Sequence, residues 1–208
     1  MEDITAELNE QKRKVDFNSY DMSVKELISM VNDGLIDIAP EYQRQFRWDA
    51  FRQSTLIESI FLGIPVPSLF MATNPDGTWE VIDGVQRLSS IINFAAEKDS
   101  SARKKIKKEI PLQLCGLKKM KSFNEKDFKR LPRSLQIDFL LKPLKITTLS
   151  DKSDKSIRFD LFERLNTGGI KLSDQEIRSC IFRGQFNDFL KRLSLNAEFN
   201  LQMQQNSD

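Results

Sequence analysis

Hydrophobic and polar positions along the chain mark out short elements with readable ends. Residues 1–20 are polar, lack clear periodicity and read as an N-terminal arm. Val24, Leu27, Ile28 and Val31 then recur at helical spacing. Ser23 before them and Glu26 three residues on form a capping box, in which each side chain serves the other's exposed backbone N–H. Asn32-Asp33-Gly34 closes this helix, with Gly34 suited to the left-handed cap conformation. Leu35-Ile36-Asp37-Ile38 is apolar and partly β-branched, a short strand ended by Pro40. A second helix is predicted from Asp49 to Leu62, with Ile57, Ile60, Phe61 and Ile64 as its buried stripe and Gly63 as its stop.

Ile64-Pro65-Val66-Pro67 is extended, because each proline fixes φ and removes a donor. Ser68 to Thr73 and Thr78 to Asp83 are strand-like, and Asn74-Pro75-Asp76-Gly77 between them predicts a hairpin turn. A helix carrying Leu88, Ile91, Ile92 and Ala95 inward follows directly. Residues 97–133 are lysine-rich, with a strand candidate at Ile110 to Leu114. A helix at 134–141 and a strand at Leu144 to Leu149 come next. The last third reads as helices, including one from Asp154 to Leu165, the turn Asn166-Thr167-Gly168-Gly169 and a helix capped by Ser173 and Glu176. The division expected is an arm (1–20), a mixed α/β core (21–150) and a helical extension (151–208), an α+β architecture.

Composition narrows the chemistry mainly through what is missing. The 208 residues contain no histidine, which excludes Ser–His and Cys–His nucleophile pairs, HExxH zinc sites and histidine-based nuclease centres. Two cysteines, Cys115 and Cys180, are too few for a disulfide framework and read as small core residues of a cytoplasmic protein. No run of eighteen apolar residues is present, and the N-terminus lacks a signal-peptide core, so no membrane partner is expected. A net charge of +2 points to no partner class by itself. Its distribution says more: Arg103, Lys104, Lys105, Lys107, Lys108, Lys118, Lys119 and Lys121 face a single acid, Glu109, over one stretch. Such a run can meet DNA phosphates, with Lys104, Lys105, Lys107 and Lys108 as the candidate contacts, or can be a solvated loop.

Three constellations can carry chemistry. Asp83-Gly84-Val85-Gln86-Arg87 falls where a strand hands over to a helix. The N–H groups and positive dipole end of a helix suit a phosphate, Gly84 lets backbone approach it, Arg87 can fork two of its oxygens, and Asp83 can hold Mg²⁺. The same string also serves as a plain joint, with Asp83 as cap and Gly84 as turn. Tyr42-Gln43-Arg44, with Phe46 and Trp48, lies beyond a strand end; its aromatics can stack on a base or fill the core. Arg164 and Asn166 sit at the end of a helix before Gly168-Gly169, either facing a cleft or forming a helix–turn–helix joint.

The order of these strings along the chain carries a resemblance. Ser23…Glu26-Leu27-Ile28, then Pro40-Glu41-Tyr42-Gln43-Arg44 with Trp48, Leu56-Ile57-Glu58-Ser59-Ile60, Gly63-Ile64-Pro65-Val66-Pro67 and Asp83-Gly84-Val85-Gln86-Arg87 resemble the N-terminal domain of GmrSD-type restriction endonucleases, a family related to the ParB/sulfiredoxin fold. The run Phe162…Arg164…Asn166…Gly169…Leu172…Glu176 is similar to that family's second signature.

The resemblance implies a small ParB-like α/β core with a helical extension. It implies binding and hydrolysis of a nucleoside triphosphate with Mg²⁺ or another divalent cation, coupled to sensing of modified DNA in phage defence, with the cutting HNH nuclease as a separate domain or a subunit in trans. Asp83, Gln86 and Arg87 then fall on the catalytic motif, with Asp83 at the metal. Gln43, Arg44, Gly84, Arg164 and Asn166 fall on nucleotide-binding positions. Val85 replaces the first glutamine of the family's Asp-Gly-Gln-Gln-Arg motif, which leaves open a non-catalytic ParB-like module that binds DNA and regulates.

Overall fold

The computed structural model describes residues 3–13, 16–38 and 48–150. Six α-helices and five strands are present among them: α1 (Ile4–Arg13), β1 (Phe17–Ser23), α2 (Val24–Asn32), β2 (Ile36–Asp37), α3 (Ala50–Phe61), β3 (Leu69–Thr73), β4 (Trp79–Asp83), α4 (Val85–Ala95), α5 (Ser101–Lys105), α6 (Arg133–Leu141) and β5 (Pro143–Leu149). The strands form one mixed sheet in the order β1-β5-β3-β4-β2. β5 pairs antiparallel with β1 and parallel with β3, β3 and β4 form the antiparallel hairpin, and β2 adds in parallel to β4. The α+β class is therefore correct.

The capping logic holds in detail. Ser23 accepts the Glu26 N–H at the start of α2, and Gly34, at φ +77°, closes its end with Leu35 N–H donating to Met30 O. Val24, Leu27 and Val31 are fully buried, as their spacing requires, and each such side chain contributes about 1.5–3 kcal/mol through burial. α3 begins at Asp49, whose carboxylate accepts the Arg52 N–H, and ends in the same way at Gly63, φ +68°. Asn74–Gly77 makes the predicted turn, with Asp76 accepting both the hydroxyl and the N–H of Thr78. Those two bonds hold the Asp76 carboxyl below its ordinary value.

Four expectations change. The stretch read as an arm contains α1 and most of β1, an edge strand whose residues from Phe17 to Asp21 are exposed; no alternation reveals it because it buries little. Ile64 lies outside the α3 stripe, 43% exposed, because the chain has already turned at Gly63. Ile110 to Leu114 is no strand: Leu112 N–H donates to Asn93 O, Leu114 exchanges a pair of bonds with the 125–126 turn, Leu112 and Leu114 are buried, and Ile110 is exposed. Cys115 is half-buried at Ser54 rather than in the core. The expected helical extension and Cys180 lie outside the described residues.

Candidate functional site

α4 is the element around which the candidate site is organised. Its first turn follows β4 through Gly84, which sits at φ +100° as the N-cap and offers no side chain to the helix. The first N–H groups of α4 thus have no side-chain cap. Asp83 is not that cap, which sets aside the plain-joint role for its carboxylate. It instead accepts from Arg87 Nη2 at 2.6 Å, one helical turn on. The same Nη2 donates to Ser68 O at 3.1 Å, so one guanidinium ties the start of β3 to the end of β4.

Gly84 is required on steric grounds as well. A Cβ there would lie 2.4 Å from Leu69 Cδ2 and 3.0 Å from Arg87 Nη2. The guanidinium therefore lies directly against the bare backbone of the turn. Its Nε is buried and has no acceptor among the described residues. A buried donor left unmade costs about 1–3 kcal/mol.

Gln86 reaches from the first turn of α4 to the residue before Asp49. Its Oε1 accepts the Trp48 N–H at 3.1 Å. The Trp48 carbonyl in turn accepts from Gln53 Nε2 at 2.8 Å, so two glutamines grip both sides of one residue. Gln53 Oε1 accepts from Asn93 Nδ2 at 2.9 Å, and Asn93 Oδ1 accepts from Arg103 Nη1 at 3.2 Å. This chain of amides runs the length of α4. It ends on Arg103, 2% exposed, whose Nη2 donates to Ala96 O at 2.8 Å and Asn93 O at 2.9 Å. Burial pushes the Arg103 guanidinium down from its ordinary value, and the carbonyl end of the α4 dipole offsets that cost.

Arg103 therefore leaves the basic patch: it caps a helix. Lys105 does the same for α2, its Nζ donating to Val31 O at 2.9 Å. Lys104, Lys107 and Lys108 are exposed. Lys107 and Lys108 border a groove of about 710 Å³ beside Trp48 and Gln53, but Asp49, Glu109 and Glu125 border it too. Asp83, Gly84 and Arg87 do not line this groove. Gln43, Arg44, Arg164 and Asn166 lie outside the described residues.

The family follows from a comparison of the whole sequence. The model of the GmrSD restriction endonuclease, N-terminal domain, matches residues 24–183. The chain belongs to this family. No curated protein and no solved structure matches it. A GmrSD N-terminal domain is a component of restriction systems, which act on DNA. No helix among the described residues is long and apolar enough to cross a membrane.

Within the GmrSD domain, the sequence pointed to the turn but not to its support. Ser68 and Leu69, which seat Arg87, carried no motif. Gln53 and Asn93 did carry a signal: Gln53 precedes Ile57 by one turn on a buried stripe and Asn93 adjoins Ile92. A polar residue in an apolar stripe needs a partner, and the partners here are one another.

Proposed function

We propose that the Asp83–Arg87 turn binds the phosphates of a nucleoside triphosphate together with a divalent cation, and that hydrolysis there serves a modification-dependent restriction system with its nuclease in a separate domain or subunit. The observation that carries this is the buried Arg87 Nε, without an acceptor among the described residues, beside a helix start with no side-chain cap and a glycine whose bare backbone leaves room. All three features suit one anion at one place.

The metal fits only in a limited form. Among the described residues no group of three acidic, Cys or His side chains comes together, so a protein-built cage is absent there. Mg²⁺ needs no such cage when phosphates supply most of its ligands. Asp83, the carboxylate of the turn, would be its protein ligand, and the ion when bound would neutralise phosphate charge and polarise water. Arg87 would then exchange its bond to Asp83 for phosphate oxygens while Ser68 O keeps it in place. Gln86 acts as a positioning residue, through Trp48. With no histidine in the chain, a carboxylate or a metal-bound water would have to serve as the base.

Calorimetry with nucleotide and Mg²⁺ tests the reading. Wild type is expected to bind and Arg87→Ala to lose at least about tenfold in affinity, as removal of a charge-assisted fork implies. Equal affinity in the two proteins would take the turn out of the site. Val85, in place of the family's glutamine, favours a second reading in which the domain binds nucleotide or DNA without turnover. Turnover abolished by Asp83→Ala rejects that reading, and binding with no turnover supports it.

A further inference from the structure

The lysine-rich region divides into two parts with opposite electrostatic character. From 103 to 108 two cations serve the fold and the rest are offset by acids: Arg103 is buried, Lys105 caps α2, and Lys107 and Lys108 border a groove with three carboxylates, which leaves Lys104 exposed. From 117 to 133 the arrangement reverses. Lys118, Lys119, Lys121, Lys126, Lys129, Arg130 and Arg133 are all exposed. The acids of this stretch are Glu125 and Asp127; Asp127 pairs with Arg130, accepting its N–H at 3.0 Å and lying 3.6 Å from its Nε, so the surplus is carried by Lys118, Lys119, Lys121, Lys126, Lys129 and Arg133.

The stretch is held firmly although it has little regular structure. Phe123 packs on Phe61 at 5.3 Å, Phe128 packs on Phe94 at 5.4 Å and on Phe139 at 6.0 Å, and Leu117 and Leu131 are buried. Glu58 Oε1 accepts the N–H groups of Lys119 and Met120, and the Asn124 amide closes on both backbone groups of Leu117. One side of the segment is thus spent on the phenylalanine cluster, which leaves its cations to solvent on a fixed backbone. Folding gains nothing from such self-repulsion, whereas a polyanion gains a preorganised surface.

We infer that residues 118–133 form the surface that meets the phosphate backbone of duplex DNA. The aromatic side chains of the segment are taken up by the core, so no platform for unpaired bases remains, and lysines as point charges read phosphates rather than sequence. The inference rests on the chain acting in DNA restriction and does not depend on nucleotide binding.

Fluorescence anisotropy of a labelled 20-base-pair duplex, titrated with the full chain at several salt concentrations, tests it. Wild-type affinity is expected to fall linearly on a log–log plot. The triple variants K118Q/K119Q/K121Q and K126Q/K129Q/R130Q should each lower the slope by about 2–3. K104Q/K107Q/K108Q should leave the slope unchanged. Arg87→Ala should keep DNA affinity while losing nucleotide, and the lysine variants should keep nucleotide affinity, which separates this surface from the turn. The single variant Lys126→Glu checks the same face with little risk to folding. The inference is overturned by wild type that does not bind the duplex at low salt, by salt-independent binding, or by loss of binding in K104Q/K107Q/K108Q alone.

Discussion

α4 has an arginine at each end, and the two have opposite relations to the helix. Arg103 lies at the carbonyl end, where the dipole welcomes a cation, and its donors are taken up by carbonyls and Asn93. Arg87 lies at the amino end, where the dipole opposes a cation; Asp83 holds it there, and its Nε has no acceptor among the described residues. Arg103 is 2% exposed and the Arg87 side chain 15%, so depth separates them in part. Their hydrogen bonds separate them further: a satisfied guanidinium is part of the frame, and one with an unmatched donor at the positive end of a dipole suits the anion site proposed above.

Substitution should widen this contrast. Arg103→Met is expected to have the largest effect on folding, about 3–4 kcal/mol in urea unfolding, because several buried acceptors lose their donor. Gly84→Ala should cost about 2–3 kcal/mol, since φ +100° and the clash with Leu69 act together, and it should also weaken nucleotide binding. Arg87→Lys is expected to cost about 1 kcal/mol or less in the same unfolding assay yet lose affinity for nucleotide, since an ammonium keeps the charge and loses the fork. A stability loss larger than that of Arg103→Met would make Arg87 the structural arginine of the pair.

The smallest effect belongs to the hairpin that delivers β4 to the site. The folded Asp76 carboxyl sits below its ordinary value of 3.8, so its contribution is present above that pH and is lost as pH falls through the lower folded value. Thermal melts of wild type and Asp76→Asn should differ slightly at neutral pH and converge in acid. A gap that persists in acid would give the turn another source of stability.

Much of this was readable in advance where a local rule acts alone. Ser23, Asp49, Gly34, Gly63 and the Asn74–Gly77 turn each obey chemistry confined to a few residues. The candidate turn at Asp83–Arg87 was readable for the same reason. Arg103 was not, because its sequence neighbours are lysines and its partners lie on another helix. β1 was equally silent, since an edge strand with exposed side chains leaves no period to detect. The role of Lys105 was hidden in the same way: a charge count sees a cation, and only packing shows that it already serves Val31 O.

The position of β5 has a consequence for how the protein is made. It is the last strand of the described sheet in chain order, yet it lies between β1 and β3, so Phe17 must wait for Leu149 before its ladder can form. A nascent chain leaving the ribosome therefore holds a hairpin and a detached edge until residue 149 emerges, and contacts of such long sequence separation form slowly. Truncation ahead of that strand would split the sheet in two instead of shortening it, and would unseat the Arg87 turn along with it.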